Sequence, residues 1–193
     1  MKFFYFFIFN ASILQAQQIK DFSLPDVDGK NVSFSDYKKA KGFIIVFSCN
    51  HCPFAQFYHE RLNRLNKKYK KQDLHLIVIN PMDTLMYENE NLTEMKNLSL
   101  KNNFNFPYLL DASQQVAKNF NALRTPQAFL IWKEKDKYIV KYSGAIDDNG
   151  AEPENVQNNY LEDAIISQLK GKTIKNQNTL SVGCKIIYRK PKG

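Results

Sequence analysis

The chain has 193 residues, of which 44% are hydrophobic and 24% charged, and its formal net charge is +8. This is one domain's worth of an ordinary soluble globular protein, long enough to bury a proper core. Three cysteines are too few for a disulfide scaffold. Lysines such as Lys67, Lys68, Lys70, Lys71, Lys133, Lys135 and Lys137 are scattered, with no arginine–aromatic block, which argues against nucleic acid as a partner. The charge reads as a solvated basic surface, or as attraction to an acidic partner or an anionic membrane surface, which leaves membrane proximity open.

Residues 1–17 read as a secretory signal peptide rather than as part of the fold. Lys2 is a minimal basic start, Phe3 to Phe9 is an unbroken apolar run, and Ala16-Gln17 offers the cleavage point after a small residue. The stretch is too short for a bilayer span, which needs about 20 residues. Leu14 is large for its place three residues before the cut, and an uncleaved anchor or a buried strand is the alternative reading. Export puts the chain in a periplasmic or extracellular, oxidising setting, where disulfides persist.

The folded domain is expected over 18–171, followed by a basic, weakly patterned tail over 172–193. Phe22 to Phe34 alternates around Asp28-Gly29 as a hairpin. Gly42 to Phe47 carries five consecutive large apolar residues, as a strand covered on both faces does. From Pro53 to Tyr69, Phe54, Tyr58, Leu62, Leu65 and Tyr69 recur at helical spacing. Leu74 to Asn80 is a second buried strand, completing a strand–helix–strand unit. Glu88 to Asn103 reads as an inserted polar helix, and Pro107 to Leu110 as a short strand. Asp111 or Ser113 caps a helix bearing Val116, Ala117 and Phe120. Gln127 to Trp132 is a third core strand, and Tyr138 to Ser143 pairs back on it. Leu161, Ile165 and Leu169 mark the last helix, which Gly171 stops.

The chemistry sits between the first strand and helix, in Phe47-Ser48-Cys49-Asn50-His51-Cys52-Pro53. Two cysteines two residues apart at a strand-to-helix junction suit reversible disulfide chemistry. In the first helical turn they would meet unpaired N–H groups and the positive end of the helix dipole, which favour thiolate. Cys49 is then the exposed nucleophile and Cys52, nearer the core, the resolving thiol. His51, if protonated, stabilises a Cys49 thiolate and raises the reduction potential; otherwise it is a solvent-facing loop residue. His59 and His75 read as structural, and Asp147-Asp148 as a turn before Asn149-Gly150, with a polar proton relay as the other reading. Pro53 stands where a c-type haem motif needs histidine. A thiolate metal site from Cys49, Cys52, Cys184 and a histidine stays open as a reading of another class, although no second ligand pair has zinc spacing.

Phe22-Ser23-Leu24-Pro25 with Gly29, Cys49-Asn50-His51-Cys52-Pro53-Phe54, Phe106-Pro107-Tyr108-Leu109, Thr125-Pro126, Ile146-Asp147-Asp148 and Ser181-Val182-Gly183-Cys184 together resemble the thioredoxin-fold superfamily. Within it, the chain is similar to peroxiredoxin-like thioredoxin family proteins of the alkyl hydroperoxide reductase / thiol-specific antioxidant group, from about Ile19 to Tyr188. The resemblance implies an α/β thioredoxin-like fold: a central mixed sheet flanked by helices, with an N-terminal hairpin extension and an inserted helix. It implies that Thr125 and Pro126, as a cis-proline pair, shape a substrate-binding edge. Cys184 is implied as a third redox partner, against the plain reading of an inert packed thiol. In peroxiredoxins the reactive cysteine corresponds to Cys52, with Thr or Ser three residues before it and Pro seven before. Cys49 and Ile45 hold those places here, which favours dithiol–disulfide exchange over peroxide reduction. The expected function is therefore thiol–disulfide exchange by Cys49 and Cys52, with a thiol-dependent peroxidase as the alternative. No cofactor is required. The expected partners are protein or small-molecule thiols and disulfides, with a second redox protein donating or accepting electrons.

Overall fold

The computed structural model describes residues 17–190. The expected signal peptide lies outside the described residues except for Gln17. In chain order the strands and helices are β1 (Gln18–Ile19), β2 (Leu24–Pro25), β3 (Asn31–Val32), β4 (Gly42–Phe47), α1 (Pro53–Gln56), α2 (His59–Tyr69), β5 (Leu74–Asn80), α3 (Leu92–Lys101), β6 (Tyr108–Leu110), α4 (Gln115–Phe120), β7 (Arg124–Thr125), β8 (Gln127–Glu134), β9 (Lys137–Gly144), α5 (Tyr160–Leu169) and β10 (Cys184–Lys185). No helix among the described residues is long and apolar enough to cross a membrane.

Six strands form the central sheet in the order β1-β9-β8-β4-β5-β6. β4, β5 and β6 run parallel, while β8 is antiparallel to β4 and to β9. β2 and β3 make the expected N-terminal hairpin, turned at Gly29. This is the thioredoxin-like mixed sheet with its hairpin extension and inserted helix.

β4 shows why its sequence is apolar throughout. Successive side chains of a strand point to opposite faces. Phe43, Ile45 and Phe47 enter one core with Phe34, Val116, Phe120 and Phe129. Ile44 and Val46 enter the other with Leu62, Tyr69, Met95, Leu161 and Ile165. Each such fully buried side chain contributes about 1.5–3 kcal/mol of transfer free energy. A strand sandwiched this way has little freedom to shift, so the loop at its C-terminal end is held from a rigid base.

Two departures from expectation matter for the site. The helix over Pro53–Tyr69 is broken into α1 and α2, with the turn at Phe57-Tyr58. The break leaves Phe54 and Phe57 exposed while Tyr58 is buried, where its hydroxyl donates to Asp147 at 2.8 Å. The tail also packs back on the domain. β10 pairs antiparallel with β7, Ile186 is buried, and Arg189 forms an ion pair with Asp83.

Candidate active site

Cys49 follows β4 directly, after Ser48 N–H has extended the strand ladder to the Ile79 carbonyl at 2.9 Å. Cys52 is the N-cap of α1, and Pro53 takes the first helical position, where a missing N–H costs nothing. Both cysteines are fully buried. This corrects the expectation of an exposed Cys49. Cys49 also precedes the helix rather than sitting in its first turn, and α1 is a single turn long. Burial therefore dominates and pushes the Cys49 thiol up from 9.0 to about 12. Hydrogen bonds from Thr125 and from Cys52 N–H oppose the shift, and the nearby Glu90 charge adds to it.

The disulfide is not the one expected from the spacing. Cys52 is bonded to Cys184, with their Cα atoms 6.2 Å apart, and Cys49 is free. Cys184 reaches Cys52 because β10 aligns Cys184 opposite Thr125. The Thr125–Pro126 bond is cis, as the resemblance implied. Thr125 is fully buried and touches both inner sulfurs. Its Oγ1 lies 3.0 Å from Cys49 Sγ, and its carbonyl oxygen 3.3 Å from Cys52 Sγ.

The tail's approach depends on Gly183. A Cβ there would collide with the Thr125 carbonyl and crowd the Pro126 ring. Around it, Ile186 N–H donates to Leu123 O at 2.9 Å, Gln114 Nε2 to Ile187 O at 2.9 Å, and Arg124 Nη1 to Gly183 O at 2.9 Å. Gly183 stands in the Ser-Val-Gly-Cys motif, so the sequence carried a signal for it, but its contact with Thr125 was not foreseen.

Glu90 is a residue that sequence reasoning missed. It ends a short 3-10 turn, Glu88–Glu90, in the segment leading to α3, and is fully buried. Its carboxylate accepts the backbone N–H groups of Asn50 and His51 at 2.9–3.0 Å and the Asn80 amide at 2.5 Å. His51 Nδ1 is 2.5 Å from Glu90 Oε1, and the imidazole stacks on Tyr87. Asn50 is pinned in turn by Tyr108 and by the Asn89 carbonyl. The loop between Cys49 and Cys52 is thus fastened to an insertion that contains no cysteine. Nothing in the polar run after Pro81 singled out this glutamate.

Asp147 is also not a plain turn residue. It is buried, accepts from Tyr58, and pairs with Arg61 Nη1 at 2.5 Å. It borders a cleft of about 390 Å³ lined by Phe54, Phe57, Pro126, Leu180 and Val182 among others. Four of these, Phe54, Phe57, Leu180 and Val182, are exposed apolar side chains beside the cysteines.

The residues do not favour a metal. Cys52 and Cys184 are taken up in the disulfide, so the four-ligand set of three cysteines and a histidine is not assembled. Cys49, His51 and Glu90 do converge, with ligand atoms within 4.8 Å of one another. The Glu90 oxygens are already saturated by three N–H donors and the imidazole, and burial keeps Cys49 protonated.

A mixed sheet presenting a strand-to-helix cysteine pair against a cis-proline, with one of the pair in a disulfide, defines a thioredoxin-fold thiol–disulfide oxidoreductase acting through Cys52 and Cys184. Residues 16–148 match the model of the AhpC/TSA family, and the chain belongs to that family. Among solved structures it is similar to a hypothetical protein of Sinorhizobium meliloti 1021, at 31% identity and a TM-score of 0.82 over 92% of this chain and 96% of that one. It is similarly related to an uncharacterized conserved protein of Geobacillus kaustophilus, at 30% identity and a TM-score of 0.81 over 92% and 93%. The fold also matches the peroxidoxin BcpB of Mycobacterium tuberculosis, at 17% identity and a TM-score of 0.59 over 81% and 96%. No curated protein matches the chain significantly.

Proposed function

We propose that the protein is a thiol-dependent peroxidase in which Cys52 is the oxidised thiol and Cys184 the resolving one. The observation that carries this is the Cys52–Cys184 disulfide, in a chain of the AhpC/TSA family whose resemblance to peroxiredoxins sets Cys52 in the place of their reactive cysteine. The Cys52 thiolate attacks the terminal oxygen of a hydroperoxide. The O–O bond breaks, an alcohol or water leaves with the proton, and Cys52 becomes a sulfenic acid. The Cys184 thiol condenses with it, releases water and closes the disulfide. An external dithiol then returns both cysteines to thiols.

Thiol–disulfide exchange is the second reading. Its support is the β10–β7 pair, in which an extended, cysteine-bearing segment is held at the Thr125 edge by main-chain bonds. A substrate segment of the same kind would replace the tail there.

Stopped-flow mixing of reduced protein with a hydroperoxide, with and without a dithiol reductant, separates the two. Rapid peroxide consumption that Cys52→Ser abolishes, and that in Cys184→Ser halts at a sulfenic acid trapped by a 1,3-diketone, supports the peroxidase. Peroxide consumption no faster than that of a free thiol, together with ready reduction of a peptide disulfide, transfers the assignment to exchange.

Export belongs to the same proposal. Its support is Lys2 followed by the apolar run Phe3 to Phe9 and the small Ala16. Cell fractionation with N-terminal sequencing tests it: a mature chain starting near Gln17 outside the cytoplasm is expected, and full-length cytoplasmic protein refutes it.

A further inference from the structure

The reaction above uses two of the three cysteines and leaves Cys49 without a task. Yet Cys49 is the best-furnished thiol in the molecule. It has Thr125 as a neighbour in common with Cys52 and Cys184: Cys49 touches the hydroxyl, Cys52 touches the carbonyl, and Cys184 is the strand partner. Its sulfur accepts the Cys52 backbone N–H, which ties it to the residue carrying the disulfide. The three cysteines pack in one small cluster with Ala55 and Met82. On the other side lie His51 and the buried Glu90, each with a side-chain atom within 4.8 Å of the Cys49 sulfur.

We infer that Cys49 is the third member of a sulfur relay, opening the Cys52–Cys184 disulfide from its buried side to form Cys49–Cys52 and free Cys184. This rests on Cys52–Cys184 being the bond formed in turnover, whichever oxidant forms it. The Cys49 sulfur attacks Cys52 Sγ. The Cys49–Cys52 bond forms as the Cys52–Cys184 bond breaks, and the electron pair leaves on Cys184. Cys49 gives up one proton as it attacks, and Cys184 takes up one as the electron pair reaches it, so the exchange is neutral overall. No electrons enter or leave the protein, so no further reactant is needed.

The consequence lies at the edge. Cys184 is half-buried while Cys49 and Cys52 are fully covered. Transfer therefore moves the oxidised bond inward and leaves the outer sulfur as a thiol. It also removes the covalent tie of β10, a two-residue strand, from the Thr125 edge. The tail is then a latch that the relay opens, leaving that edge and the apolar cleft beside Pro126 available to a reducing protein.

The test starts from full-length protein oxidised with a disulfide reagent, so peroxide reactivity plays no part in it. The oxidised protein is held at mildly alkaline pH, quenched with acid, labelled with a maleimide in denaturant, and mapped by peptide mass spectrometry. The relay predicts that label lost from Cys49 is matched one for one by label gained at Cys184. Full label at Cys49 with none gained at Cys184 at every time point overturns the relay. Cys184→Ser, oxidised the same way, should lose both remaining thiols to a Cys49–Cys52 disulfide. Two free thiols in that variant also overturn it. Failure here with intact peroxide-driven closure of Cys52–Cys184 removes the relay alone.

Discussion

Gly183 lies so close to the Thr125 carbonyl that no side chain fits between them. This contact decides whether Cys184 can reach Cys52. Alanine at 183 has to push the tail strand off Thr125 and Pro126. Overpacking of this kind costs about 1–3 kcal/mol. Gly183→Ala should therefore fold but hold less of the Cys52–Cys184 disulfide, seen as maleimide label appearing at Cys184 after mild oxidation. Full retention of the disulfide would show that the tail docks in another way.

The disulfide spans a sequence separation of 132. Closing so long a loop restricts the unfolded chain, and cross-links of this class contribute about 2–4 kcal/mol. Guanidinium unfolding of the oxidised protein should fall by about that amount when a reductant is added. Cys184→Ala, which can close at most the short Cys49–Cys52 loop, should shift far less on reduction.

Burial raises the Cys49 thiol from 9.0 to about 12. A group whose folded pKa is raised favours the protonated folded state. The stability it confers is whole below about 9 and is lost as the pH climbs towards 12. In native protein at neutral pH the buried Cys49 thiol should resist maleimide, and wherever it is still a thiol it should label once the protein is denatured. The Glu90 charge is one cause of the shift, so Glu90→Gln should bring the thiol down. Ultraviolet thiolate absorbance against pH checks the direction; an upward move would contradict the assignment.

Asp147 holds Tyr58 and Arg61 in a mostly buried group. Removing one partner of a buried pair strands the other charge and costs about 3–5 kcal/mol. Asp147→Ala should approach that loss in chemical denaturation, while Tyr58→Phe, which removes one hydrogen bond, should lose about 1 kcal/mol. Equal losses would mean that the ion pair contributes little.

Arg189 holds the Asp83 carboxyl below its usual 3.8. A lowered carboxylate pKa gives stability that is present above 3.8 and lost as the pH falls through the folded value. Acid should therefore loosen the end of the tail in reduced protein. Amide protection factors at Ile186 and Arg189, taken relative to intrinsic exchange at each pH, should fall as the pH drops below that range. Asp83→Asn should show fast exchange already at neutral pH.

Much of the scaffold was legible in the chain. The apolar runs at β4 and β5, the alternation around Gly29 and the Thr125-Pro126 pair each carry their pattern in neighbouring residues. Periodicity alone extends the helix after Pro53 too far, because the spacing of Phe54, Tyr58 and Leu62 does not register a turn at Phe57-Tyr58. At that break Tyr58 meets a buried acceptor, Asp147, that lies far along the chain. Glu90 was invisible for a similar reason: a glutamate in a polar run looks solvated until the fold shows it capping the loop between two cysteines.

By itself the sequence determined where the strands and helices would form and which three sulfurs were available, since both follow from local spacing and residue type. Which sulfurs join, and which thiol is covered, was decided only in three dimensions. Spacing two cysteines three positions apart brings them near each other, but a glycine-permitted strand pairing across the Thr125 edge brought a third from the tail. Burial of Cys49 in its cluster with Cys52, Ala55 and Met82 then outweighed the pull of a one-turn helix.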